Sequence, residues 1–120
     1  MDLQSLHHYT VRVTDLDASV KFYEEILGLE FGARPNFGFP GAWLYLGGGP
    51  VVHLIAGRES GTADTGPFDH IAFGVTGVDE TIQHLDKNSI EFRRNEITEL
   101  SMTQLFFRDP DGVMIELNFS

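Results

Sequence analysis

The 120-residue sequence contains no cysteine. That excludes disulfides, thiolate metal sites and a cysteine nucleophile. Positive charge is scarce, with 8 Lys and Arg against 18 Asp and Glu and a formal net charge of -10. No basic stripe is available to neutralise phosphates, so a nucleic-acid partner is not expected. No apolar run approaches the roughly 20 residues that a membrane helix needs, so no membrane partner is expected either. The opening Met1-Asp2-Leu3-Gln4 lacks the basic and apolar regions of a secretory signal, and the expected location is cytoplasmic. Apolar residues nonetheless make up 42% of the chain, the ordinary level for a globular protein, which is enough to build a core.

The sequence repeats itself. LHHYTVRVTDLDASVKFY at 6–23 aligns with FDHIAFGVTGVDETIQHL at 68–85, placing His8 on His70, Val13 on Val75, Thr14 on Thr76 and Asp17 on Asp79. Few identities support the match, but the order of elements repeats as well. Alternating apolar runs at 6–13 and 69–76 predict half-buried strands. Amphipathic helices are predicted at 17–27 and 79–88, with Asp17 and Asp79 as N-caps and a stripe of Val20, Tyr23, Ile26 and Leu27 in the first. Gly28 suits the left-handed residue that ends it. Three strands follow in each half, near 29–34, 42–47 and 51–56, then near 90–97, 102–108 and 113–119. Gly47-Gly48-Gly49-Pro50 and Asp109-Pro110-Asp111-Gly112 read as hairpin turns. The expected architecture is α+β, two tandem βαβββ modules in a single domain over 1–120: module one at 6–56, a Gly/Ser/Thr-rich linker at 57–67 and module two at 68–120.

Strand alternation then sorts the polar residues. His8, Thr10 and Arg12 share one face of the first strand, opposite Tyr9, Val11 and Val13. His70 takes the corresponding place in the second half. In the closing strands His53 points away from Val52 and Leu54, and Glu116 away from Ile115 and Leu117. Each half thus offers one His at its first strand and one donor at its last. Three imidazoles and a carboxylate suit one divalent ion such as Fe2+, Mn2+, Ni2+, Zn2+ or Co2+, and the carboxylate offsets part of the charge. Alone, a strand histidine is more often a hydrogen-bonded structural residue; the symmetric placement of four donors favours a metal. His7, facing away from His8, and His84, on a helix, are expected to be structural or surface residues. Phe37-Gly38-Phe39-Pro40-Gly41, Trp43 and Tyr45 form an aromatic segment suited to lining a substrate pocket, or to core and dimer contacts.

LHHYTVRVTDLDASVKFYEEILGLEF, FDHIAFGV and FFRDPDGVMIELNF together resemble the glyoxalase, bleomycin-resistance and extradiol-dioxygenase superfamily, the vicinal oxygen chelate proteins. The resemblance implies sheets that form a cup around a metal held by His8, His70 and Glu116, with His53 at a variable fourth position. There it is either a ligand or, as in extradiol dioxygenases, an acid–base residue. It implies a substrate-gripping role for Arg12, whose other reading is a rim salt bridge, and a homodimer. The expected function leans to extradiol-dioxygenase-like chemistry on a small chelating substrate, with His53 and Glu116 catalytic and Arg12, Trp43, Tyr45 and Phe106 at the substrate. Phe106 stands where the dioxygenase pattern has Tyr, and a glyoxalase-like enzyme would favour a carboxylate at residue 53. The alternatives are a glyoxalase- or epimerase-like lyase or isomerase, and a small-molecule binding protein of the bleomycin-resistance type.

Overall fold

The computed structural model describes residues 1–59 and 64–120. The chain divides into two compact units, Met1–Gly61 and Thr62–Ser120. Part of the expected linker, residues 60–63, lies outside the described residues.

Unit one runs β1 (Tyr9–Val13), α1 (Leu16–Glu25), β2 (Glu30–Gly32), β3 (Gly41–Leu46) and β4 (Gly49–Ala56). Its sheet has the order β1-β4-β3-β2, so the first strand lies parallel to the last and the other contacts are antiparallel. Val11, Val13, Ala42, Leu44, Val52 and Leu54 are buried on one face of the sheet, while Thr10 and Arg12 are exposed and Trp43 and His53 half-buried. The alternation expected from the sequence holds. Helix α1 begins one residue earlier than expected, and its cap lies two earlier, because Asp15, not Asp17, caps it, its carboxylate accepting from the Ala18 amide at 3.1 Å. Asp17 sits in the first turn, where it still complements the helix dipole. The buried stripe is centred on Ser19, Phe22 and Tyr23, with Val20, Ile26 and Leu27 at its flanks. Gly28 ends the helix at φ +73 as expected, its amide bonded to the Glu24 carbonyl. Gly47 and Gly48, at φ +60 and +99, form the two-residue turn between β3 and β4 that right-twisted hairpin strands require.

Unit two repeats the plan: β5 (Ile71–Gly74), α2 (Val78–Lys87), β6 (Arg93–Ile97), a 3-10 turn at Thr98–Leu100, β7 (Met102–Arg108) and β8 (Met114–Phe119). The order β5-β8-β7-β6 matches that of unit one, again with a parallel first–last pair. Gly77 at φ +84, not Asp79, precedes α2, and no side chain caps it; Asp79 and Glu80 supply acidic charge to its first turn instead. The Asp109-Pro110-Asp111-Gly112 turn is held by the buried Asp109 carboxylate, which accepts from the amides of Asp111 and Val113 at 2.9 and 2.8 Å. Leu105, Phe107, Ile115, Leu117 and Phe119 are buried.

Both architecture and chain order therefore match the two βαβββ modules expected of the sequence. The first strands are shorter than expected, and His8 and His70 each stand just outside them, immediately before Tyr9 and Ile71 in turn.

Gly41 is the tightest point of the first sheet. A Cβ there would overlap the Leu54 carbonyl oxygen and lie 2.7 Å from Arg34 Nη2, whereas a Cβ at Gly49 meets nothing within 4 Å. Gly41→Ala is expected to cost about 1–3 kcal/mol by overpacking, and Gly49→Ala within about 0.5 kcal/mol of neutral. Thermal unfolding of the two variants checks this: equal midpoints would show that β3 and β4 do not pack as described.

Candidate metal centre and substrate pocket

The parallel pairings place the donors. Thr10 is opposite His53 in the β1–β4 pair, and Ala72 is opposite Glu116 in the β5–β8 pair. His8 precedes Thr10 by two residues, and His70 precedes Ala72 by two. With a side-chain period of two, each histidine therefore reaches the donor on its neighbouring strand.

In unit two His70 Nε2 lies 3.2 Å from Glu116 Oε1. Its Nδ1 lies 2.8 Å from Asp69 Oδ2. A carboxylate oxygen only accepts, so Nδ1 carries the hydrogen and donates to Asp69. When the ring is neutral, its Nε2 presents a lone pair toward Glu116 and the two facing lone pairs favour a cation between them; when it is protonated, Nε2 donates to Glu116 as an ion pair. Two donors each ~2.1 Å from one cation, at roughly 90–110° to each other, stand about 3.0–3.4 Å apart. The observed separation fits that geometry, as it fits a direct hydrogen bond, and Asp69 stands where a carboxylate orients an imidazole. Glu116 is buried, and its other oxygen accepts from Gln104 Nε2 at 3.3 Å. The Gln104 amide also bonds Asn118 at 3.2 Å and receives a bond from Asn95 at 2.8 Å. This network holds the carboxylate in place on the sheet.

Unit one is different. The His8 and His53 rings are stacked, with centroids 3.7 Å apart and planes 11° from parallel. Trp43 stacks on His53 at 4.2 Å and 15°. An imidazole lone pair lies in the ring plane, and two nearly parallel planes at this spacing do not meet at a common ion. In this arrangement only one of the two rings can coordinate a given cation. His53 Nε2 is 3.0 Å from the Pro50 carbonyl, so Nε2 donates and Nδ1 holds the free lone pair of the neutral ring. Burial, then the neighbouring His8, push the His53 pKa below the ordinary imidazole value; His7 and Arg34 add to this, against the opposing pull of the Pro50 carbonyl. His8 is exposed and has its own neighbour, since its Nδ1 lies 2.8 Å from His7 Nδ1. When His8 donates in that contact, its Nε2 keeps a lone pair for a cation.

Among the described residues, no group of three or more His, Asp or Glu side chains is gathered around one point; the donors are brought together as two pairs.

The expected substrate residues separate. Trp43 and His53 line a small pocket of about 140 Å³ with Thr10, Arg34, Phe37 and Phe39. Arg12 is exposed on the same strand face as Thr10. Tyr45 does not line this pocket: its ring lies against Gly32 and its hydroxyl donates to the Ala33 carbonyl at 2.5 Å. Phe106 pairs with Glu116 across β7 and β8, and the Arg93 guanidinium lies over its ring at 4.4 Å. Phe106 and Arg93 also line a broad recess of about 660 Å³ in unit two. Sequence reading missed Asp69, Gln104, Arg34 and the contact of His7 with His8. The period of two, carried from Phe106 back to Gln104, would have found the second of these. Arg34 lies in an irregular segment where no period operates.

Residues 5–117 match the sequence profile described as Glyoxalase/Bleomycin resistance protein/Dioxygenase superfamily. The chain belongs to this superfamily. It is 34% identical over 125 residues to Glyoxylase I 4 of Arabidopsis thaliana, covering 98% of this chain and 71% of that protein. It is 32% identical over 122 residues to the Glutathione transferase FosA of Serratia marcescens, covering 97% and 81%. The crystal structure of a glyoxalase/dioxygenase from Nostoc punctiforme superimposes with a TM-score of 0.82 at 26% identity, covering 99% of this chain and 92% of that one. The two-module fold is thus that of the superfamily's solved members.

Asp69 yields a direct test. Its carboxylate is 92% exposed, so its hold on His70 is screened by water. Asp69→Ala is expected to weaken divalent-cation binding by about tenfold, the low end for such a supporting residue, without unfolding the chain. Calorimetric titration with Zn2+ or Mn2+ measures this, and unchanged affinity would remove Asp69 from the site.

Proposed function

We propose that this chain is a divalent-metal-dependent enzyme acting on a small substrate through two neighbouring oxygens. In this reading His8, His70 and Glu116 hold the ion, and His53 moves a proton. The observation that carries it is the His70–Glu116 pair, spaced as cis ligands are and backed by Asp69. When bound, the cation supplies Lewis-acid polarisation of the substrate's oxygens and stabilises the negative charge that develops there.

The chain's own residues do the rest. His53, stacked between His8 and Trp43 and bonded to Pro50, has a fixed ring orientation and a free Nδ1. Its lowered pKa favours the neutral ring near pH 7, the form that accepts a proton. Gln104 keeps Glu116 oriented, and Trp43 closes one side of His53 to water.

An acid–base histidine serves oxygen-dependent ring cleavage and oxygen-independent proton transfer equally. Relatives named as a glyoxylase and a glutathione transferase keep the second, of lyase or isomerase type, beside the dioxygenase-like reading. The alternative in which His53 is a fourth ligand would require its ring to leave the stack with His8.

Substitution of His53 separates these roles. His53→Ala is expected to retain cation affinity within about twofold while turnover falls by about 10²–10⁴-fold, as for loss of a general base. Metal titration and steady-state assays, with and without oxygen, on 2-oxoaldehyde thiol adducts and catechols provide the readouts. A variant that loses the metal would make His53 a ligand, and turnover that requires oxygen would favour the dioxygenase-like reading.

A further inference from the structure

Arg34 stands in the wall of the His53 pocket with an unusual set of partners. One Nη donates to the Phe39 carbonyl at 3.2 Å. The Phe37 and Phe39 rings each lie 5.0 Å from the guanidinium carbon. The missing Cβ of Gly41 leaves room for the other Nη. The Nε is buried and has no hydrogen-bond partner among the described residues. A buried, charged donor without an acceptor is costly and rare, and it marks a place where an acceptor is missing. Arg34 is thus held rigidly by aromatic and backbone contacts, while much of its donor capacity remains uncommitted.

Aromatic rings make up most of the remaining wall, with Thr10, Leu54 and Ile55 completing it. Trp43 lies on His53, Phe37 stands 6.1 Å from Trp43 at 43°, and Phe37 stacks on Phe39 at 5.7 Å. At about 140 Å³ the pocket is smaller than the ~300–1,000 Å³ of a complete ligand site, so it takes one end of a substrate rather than the whole. On a chain of net charge -10, an anion is bound only where a local cation overrides the surrounding field.

We propose that this pocket is the specificity site for the carboxylate end of a planar, conjugated substrate. The carboxylate is bound by the Arg34 fork and the ring or double bond by the Trp43 and Phe37 faces. This inference rests on the reading of His53 as an active-site residue, and it names the class of molecule that His53 meets. It also assigns the anion grip to Arg34 in place of Arg12.

Trp43 is the single tryptophan of the chain, so its fluorescence reports this pocket alone. The full-length protein, free of metal and then loaded with Zn2+, is titrated with benzoate, benzamide and acetate. Benzoate is expected to change the emission saturably in both forms, with benzamide and acetate each at least about tenfold weaker, since a charge-assisted pair and a stacked ring are each lost in turn. Arg34→Gln should weaken benzoate by about tenfold and leave benzamide unchanged, and Arg34→Lys, which keeps the charge but not the planar fork, should fall between. Circular dichroism verifies that both variants fold. Equal binding of benzoate and benzamide, or benzoate affinity indifferent to Arg34→Gln, would overturn the proposal. Because the titration is also made without metal, its failure beside intact metal binding would refute the pocket assignment alone. Saturable benzoate binding in a protein that holds no metal would sustain the pocket and refute the metal reading.

Discussion

Each unit depends on one constraint, the parallel pairing of its first strand with its last. Parallel neighbours need a long crossover connection, and α1 with two further strands supplies it in unit one as α2 does in unit two. The crossover sets the register, and the register sets the chemistry. A slip of one residue would turn His53 or Glu116 into the core and bring Leu54 or Leu117 to the polar face. The apolar residues that flank each donor, Val52 and Leu54, Ile115 and Leu117, therefore fix the donors as firmly as they build the core.

The same frame carries different chemistry in its two copies. In unit two it sets an imidazole against a buried carboxylate, with Asp69 and Gln104 supporting them, an arrangement that calls for positive charge. In unit one it sets imidazole against imidazole, and the rings stack instead of converging. Burial, then the neighbouring His8, disfavour protonating His53. On the proposed reading, one copy holds the cation and the other offers one ligand and a neutral base. The divergence of two similar modules toward these roles accounts for the observed pairs better than four equivalent ligands do.

Much of this was legible in the sequence because it follows from periodicity. The alternation in VVHLI and MIELNF determines which face His53 and Glu116 take, and the repeated element order determines which strands carry the donors. The membership in the superfamily was also legible, through the segments around Asp15–Leu29 and Asp109–Glu116. The helix starts were misjudged because Asp15 and Asp17 are both competent caps, and only the backbone angles select Asp15. Tyr45 was expected at the substrate by its aromatic company, yet the bulge beside Leu44 and the proximity of Gly32 direct it to its own hairpin. Asp69, Gln104 and Arg34 act through the geometry of partners that are distant in sequence or in irregular segments, and composition carries no trace of that.

The proposed function turns on His53 being no ligand, with His8, His70 and Glu116 proposed to hold the ion. X-ray absorption of the Zn2+- or Mn2+-loaded protein counts imidazoles directly, through the multiple scattering that rigid rings produce. The account predicts two imidazoles with oxygen donors completing the shell, and the same spectrum from His53→Ala. Three imidazoles in the parent, reduced to two in that variant, would contradict it.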